Sequence, residues 1–293
     1  MFRGSVVALV TPFAKDGSVD ERALKDLVAF HIKNGSGGIV PCGTTGESAT
    51  LDYDEHERVI EICIQAAKGR IPVIAGTGSN STQEAIMMSR KAEKAGADGL
   101  LLVSPYYNKP TQKGLYLHFR EIARSVKIPI MLYNIASRTA VNIEPETVAR
   151  LAADCRNIVA VKEASGSLEQ MSRVIALCGK NFTVTSGDDA LTLPLMAIGG
   201  AGIVSVVANI VPKDVKEMVA SFASGDIAKA QRLHYRLAPL VKAMFIETNP
   251  IPVKTAMGLL GMCEPSLRLP MCEMAGENVA KLKAALKEYG LLK

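Results

Sequence analysis

Lys162 closes the run Ile158 to Ser165, IVAVKEAS, and of all the residues in this sequence it has the most chemistry to offer. An apolar, β-branched run of this kind predicts a strand covered on both faces, as in a parallel sheet. In water a lysine ammonium has a pKa of roughly 10.4, so only about one in a few thousand is a neutral amine at pH 7. Lowering that pKa to about 7 or 8, by burial or a neighbouring cation, costs roughly 4 kcal/mol of differential solvation and makes a nucleophile toward a ketone. The product of that attack is a Schiff base. The plainer reading has Lys162 snorkelling to solvent or pairing with Glu163.

Other residues with chemistry to offer also follow short apolar runs. Gly43-Thr44-Thr45-Gly46-Glu47 joins two hydroxyls to glycines that let main-chain amides approach a carboxylate or phosphate, without the lysine and spacing of a P-loop. Its plainer role is to cap the helix expected from Asp54. Tyr133 ends an apolar run as a proton carrier or as a core tyrosine with its hydroxyl tied off. Arg138 offers a planar fork for a carboxylate, or simply a solvated loop cation. Tyr106 and Tyr107 suit a barrel mouth or a subunit contact, and Ser186-Gly187-Asp188-Asp189 is a ready turn. None of the four histidines, His31, His56, His118 and His234, stands at a strand end, so none is assigned to catalysis.

Positioning these residues requires a scaffold, and the chain supplies one by alternation. Strands are expected over Ser5–Val10, Gly38–Pro41, Val73–Ala75, Gly99–Val103, Pro129–Tyr133, Ile158–Lys162, Phe182–Thr185 and Gly202–Ser205. Amphipathic helices are expected near Glu21–Lys33, Asp54–Ala67, Thr82–Ala95, Thr111–Ser125, Pro145–Ala153, Leu168–Leu177, Ala190–Ala197 and Val211–Ala223. Eight such units predict an α/β fold, a (β/α)8 TIM barrel, over residues 1–225. The alternative is a doubly wound open sheet, but no GxGxxG follows the first strand. Residues 226–293 read as a C-terminal helical appendage, with helices over Asp226–Glu247, Ile251–Leu260 and Glu273–Tyr289. A barrel gathers all its strand ends at one mouth. There Lys162, Tyr133, Thr44, Thr45 and Arg138 would meet as amine, proton carrier, hydroxyl relay and carboxylate clamp.

The totals agree with an enzyme of this kind. The 293 residues are 48% hydrophobic and 22% charged, ample for a large core. No apolar run reaches the roughly eighteen residues of a membrane span, and MFRGSVVALVTPF reads as a first strand without a cleavage site, so a cytoplasmic protein is expected. The six cysteines show no CxxC pair and no metal-ligand spacing, so they are expected to be reduced thiols without a zinc site or a disulfide framework. A net charge of +5, spread without a basic block, argues against nucleic acid and suits small anionic substrates.

With these motifs in view, the chain resembles the dihydrodipicolinate synthase family of pyruvate-dependent class I aldolases. The resemblance is carried by GSVVALVTPF, GTTGESATL, IPVIAGTGSN, SPYYNKPTQ, LYNIASRTA, VKEASG, SGDDA and NPIPVKTAMG, nearly the whole length. It implies condensation of pyruvate with L-aspartate 4-semialdehyde in lysine and diaminopimelate biosynthesis, without a cofactor. A related aldolase of the N-acetylneuraminate lyase or keto-deoxy sugar acid type is the alternative. By this resemblance Lys162 forms the imine, Tyr133 moves protons, and Thr44 and Tyr107 complete the relay, Tyr107 from a neighbouring subunit. Thr45 and the main chain of Ile203 would contact pyruvate, Gly187 would line the pocket, and Arg138 would hold the semialdehyde carboxylate. The family also implies a homotetramer and feedback by L-lysine at Ser48, Ala49, Tyr53, His56, Asn80, Glu84 and Tyr106, with tyrosine at 53 where several regulated members have histidine. Ala136 stands where the family usually has proline, a change expected to loosen Arg138.

Overall fold

Side chains alternate across a strand, so each apolar run must satisfy two surroundings at once. Val6, Ala8, Val40, Ile74, Leu101, Met131, Ala160 and Val204 form one buried set, and Val7, Leu9, Ile39, Leu100, Leu102, Leu132, Val161 and Ile203 belong to another. The first set fills the inside of a ring of strands, and the second packs that ring against helices. The computed structural model describes residues 2–293.

The strands are β1 (Gly4–Ala8), β2 (Gly38–Val40), β3 (Ile74–Gly76), β4 (Gly99–Val103), β5 (Ile130–Asn134), β6 (Ile158–Glu163), β7 (Thr183–Ser186) and β8 (Gly202–Ser205). All neighbours pair in parallel, in the order β2-β1-β8-β7-β6-β5-β4-β3. A parallel bridge between Ile39 and Val73 joins the two ends. The sheet is therefore the expected (β/α)8 barrel.

Around it lie α1 (Glu21–Asn34), α2 (Tyr53–Ala67), α3 (Thr82–Ala95), α4 (Gln112–Ser125), α5 (Ala136–Thr139), α6 (Pro145–Asp154), α7 (Leu168–Cys178), α8 (Thr192–Ala197) and α9 (Pro212–Ala223). Three more follow: α10 (Ile227–Ala243), α11 (Ile251–Leu259) and α12 (Gly276–Tyr289). Several helix bounds change, and the helix foreseen over Asp226–Glu247 ends at Ala243. The helix foreseen over Ala190–Ala197 is a 3-10 turn, Asp189–Leu191, followed by α8, because Asp189 is drawn inward by the end of β8. The helix foreseen from Glu273 begins at Gly276, since Glu247 Oε1 takes the Ala275 amide at 3.0 Å. Among the described residues no helix is long and apolar enough to cross a membrane.

Candidate active site

The ends of β5 and β6 set the centre of the site. Tyr133 and Lys162 are register partners, and so are Asn134 and Glu163 one step on. Alternation turns Tyr133 and Lys162 into the barrel and Asn134 and Glu163 out of it. Lys162 is 5% exposed, and its Nζ lies 4.2 Å from the centroid of the Tyr133 ring. Among the described residues it forms no ion pair; the fully buried pair belongs to Lys254 and Glu47.

Glu163 is not its partner. That carboxylate is committed to the opposite face, where it accepts from Asn134 Nδ2 at 3.3 Å, the Ser165 amide at 2.9 Å and Gln170 Nε2 at 3.1 Å. The plainer reading of Lys162 as half of a neighbouring salt bridge is thereby removed. Gly187, at the end of β7, supplies the space: a Cβ built there would lie 3.0 Å from Lys162 Cε and 2.7 Å from Ala164 Cβ.

The GTTGE segment is a tight loop after β2, with the Gly46 amide on Gly43 O and the Glu47 amide on Thr44 O. It does not cap α2. Asp52 does so through a capping box with Glu55, which frees the loop from the plainer role. Thr45 is buried and its Oγ1 accepts from Asn249 Nδ2 at 3.0 Å. Arg138, exposed on the one-turn α5, donates through Nη2 to Asn249 O at 3.1 Å. Asn249 thus ties the two groups expected to hold carboxylates. Thr44 and Arg138 face one cleft of about 230 Å³, shared with Tyr106, Ile135 and Asn249. The α5 turn is held by Thr139, whose Oγ1 lies 3.0 Å from Ile135 O and 2.9 Å from Val141 O.

Two expected residues stand differently. Ile203 sends its side chain into the outer apolar layer, so only its main chain can face a ligand. Tyr107 is 90% exposed at a φ of 74°, and the single chain does not gather it with Tyr133 and Thr44. Asp188 and Asp189 are structural: Asp188 accepts from the Ala190 amide, and Asp189 accepts from Ser205 Oγ and the Val206 amide, latching β7 to β8. Burial pushes the Asp189 carboxyl up.

The residues expected for lysine feedback are partly connected. Ser48 and Ala49 line the same cleft as Tyr106, and Asn80 Nδ2 donates to Tyr106 O at 3.1 Å. A hydrogen bond to Glu84 raises the pKa of the exposed Tyr53 phenol. His56 is buried beside them, and burial brings its pKa down to about 4, against an opposing hydrogen bond with the Gly76 main chain.

Sequence reasoning missed Asn249 and the Lys254–Glu47 pair. The signal was a single lysine within the apolar helix IPVKTAMGL. Cys42 directly precedes the GTTGE loop, but its Sγ turns toward His56 O at 3.6 Å and burial pushes its thiol well up. Among the described residues no group of three or more His, Cys, Asp or Glu could hold a metal ion.

Comparison with known proteins agrees with this fold. The model of the Dihydrodipicolinate synthetase family matches residues 1–289. The 4-hydroxy-tetrahydrodipicolinate synthase of Endomicrobium trichonymphae is 60% identical over 293 residues, all of both chains. The crystal structure of dihydrodipicolinate synthase from Aquifex aeolicus superposes with a TM-score of 0.98 at 53% identity, covering 99% of each chain. The dihydrodipicolinate synthase of Cyanidioschyzon merolae with lysine bound superposes at 0.97 with 44% identity, again over 99% of each chain.

Proposed function

Because this chain belongs to the dihydrodipicolinate synthetase family and is a lyase condensing pyruvate with L-aspartate 4-semialdehyde to 4-hydroxy-tetrahydrodipicolinate in lysine and diaminopimelate biosynthesis, we propose that Lys162 carries pyruvate as the Schiff base. The observation that carries this reading is the pairing of Lys162 with Tyr133, two inward-facing groups on adjacent strand ends, with the amine 4.2 Å from the ring.

The chemistry follows from those groups. The neutral Lys162 amine attacks the ketone carbon of pyruvate, and water leaves to give an imine. Its nitrogen withdraws electrons from the methyl group, which loses a proton and becomes an enamine. Tyr133 moves these protons, with Thr44 and the Tyr107 of a neighbouring subunit completing the relay. The enamine carbon adds to the aldehyde carbon of the semialdehyde. The substrate's own amine then attacks the imine carbon, closing the ring and expelling Lys162. Thr45 and the main chain of Ile203 hold the pyruvate carboxylate, while Gly187 leaves room for the lysine stem. Arg138 holds the semialdehyde carboxylate, and its tie to Thr45 through Asn249 supports that division of work.

Residues 1–225 act as the catalytic barrel and 226–293 as its helical brace, in a cytoplasmic homotetramer built as a dimer of dimers. The 90% exposure of Tyr107 supports a subunit partner at that edge. L-Lysine binds near Ser48, Ala49, Tyr53, His56, Asn80, Glu84 and Tyr106, where the Glu84 carboxylate suits an ammonium; a relative with lysine bound supports this. An unchanged rate at millimolar lysine would dispose of it. Borohydride reduction in the presence of pyruvate, followed by peptide mass mapping, tests the whole reading. The expected adduct is on the peptide containing Lys162; an adduct on another lysine, or none, refutes it.

A further inference from the structure

Lys162 is not the most shielded amine in the molecule. Lys254, one turn into α11, is fully buried, and its Nζ donates to Glu47 Oε1 at 2.7 Å, with side-chain exposures of 0% and 2%. The other Glu47 oxygen accepts from the Arg268 amide at 3.2 Å. Lys254 Nζ also lies 4.2 Å from the Phe13 ring centroid. Burial pushes the Lys254 pKa down, and Glu47 beside it pushes it back up, so the ammonium depends on its partner.

A buried ion pair is a weak source of stability, because a well-packed apolar pair of similar volume often does as well. What the pair does supply here is position. Glu47 ends the GTTGE loop with a φ of 52°, a conformation that its side-chain anchor must help to hold. Just before α11 the chain grips the loop a second time, where Asn249 donates to Thr45 Oγ1. Two anchors, one just before α11 and one within it, therefore hold Thr45 and Glu47 on either side of Gly46, whose carbonyl accepts from Thr11 Oγ1 at 2.7 Å.

We propose that Lys254 is a positioning residue which, acting through the Glu47 carboxylate, holds the Thr44 and Thr45 hydroxyls at the spacing that bound pyruvate requires. This rests on the reading of Thr45 as the pyruvate contact.

The test uses the full-length enzyme with Glu47→Gln, which keeps the shape and an acceptor for Lys254, and with the double variant K254M/E47Q, which leaves no unpaired charge. Borohydride trapping at Lys162 is followed against pyruvate concentration, together with thermal unfolding. A sub-ångström shift of a binding group is expected to raise half-saturating pyruvate by about tenfold in K254M/E47Q and by a smaller factor in E47Q, with Lys162 still modified at saturation. Parental half-saturation in either folded variant overturns the proposal, whatever happens to the melting temperature. Should the double variant not fold, E47Q alone decides. Absence of an adduct in the parental enzyme would instead sink the Schiff-base reading.

Discussion

Gly187→Ala is the most direct probe of how Lys162, the proposed nucleophile, is held. Gly187 lies outside the left-handed region, so its requirement is one of space alone. The added Cβ would sit 2.7 Å from Ala164 Cβ and 3.0 and 3.2 Å from Lys162 Cε and Cγ. Carbon atoms pack at about 3.5 Å or more, so the neighbours must yield by about 0.5–0.8 Å. Ala164 Cβ is fixed to the main chain, so that contact is relieved by a main-chain shift, while the Lys162 stem yields at its own two contacts. Overpacking of this kind costs about 1–3 kcal/mol. Borne entirely by the transition state, that is about 5- to 150-fold in rate. The assay is the rate of borohydride-trapped pyruvate adduct at Lys162, measured beside thermal unfolding. The expected result is a slower adduct with a melting point lowered by a few degrees. A parental adduct rate would refute the reasoning, with or without a change in melting point, because a main-chain shift alone would then have relieved all three contacts.

Tyr133→Phe is expected to lower kcat by about 10²- to 10⁴-fold while the fold is retained; steady-state kinetics and circular dichroism check both. Buried His31, His56 and His118 have pKa values brought down to about 4, burial being the first cause in each. An unfolded histidine titrates near 6.5, so between about pH 4 and 6.5 the unfolded chain binds more protons and stability falls with acidification, by about 1.4 kcal/mol per pH unit for each. Equal melting temperatures at pH 6.5 and 5 would contradict this. Maleimide is expected to label exposed Cys272 in the native enzyme and to reach buried Cys42 and Cys63 only after unfolding; early labelling of Cys42 on peptide mapping would count against the orientation described.

The barrel was legible because its two periodicities are clean. The bounds expected for Gly99–Val103, Thr82–Ala95 and Gly202–Ser205 are those observed, since each run is closed by glycine, serine or an alanine before glycine. The sorting of Lys162 from Glu163 was also available, because neighbours on a strand cannot share a face. The capping box over Asp52 and Glu55 was likewise present in the sequence and excluded a capping role for GTTGE. What could not be read were the contacts between distant segments. Asn249 and Thr45 are 204 residues apart, and Lys254 and Glu47 are 207 apart. A lysine in an apolar helix can turn either way, and only the closed fold decides. Asp188 and Asp189 were equally ambiguous until the end of β8 supplied the amides that Asp189 accepts from.

The helix that grips the GTTGE loop bears on how the protein comes into being. A ribosome delivers the amine at position 162 well before the residues that hold Thr45 and Glu47, namely Asn249, Lys254 and Arg268. Until then a nascent barrel holds Glu47 without its counter-ion, and termination between residues 163 and 248 leaves a chain with the amine but without any of these three residues.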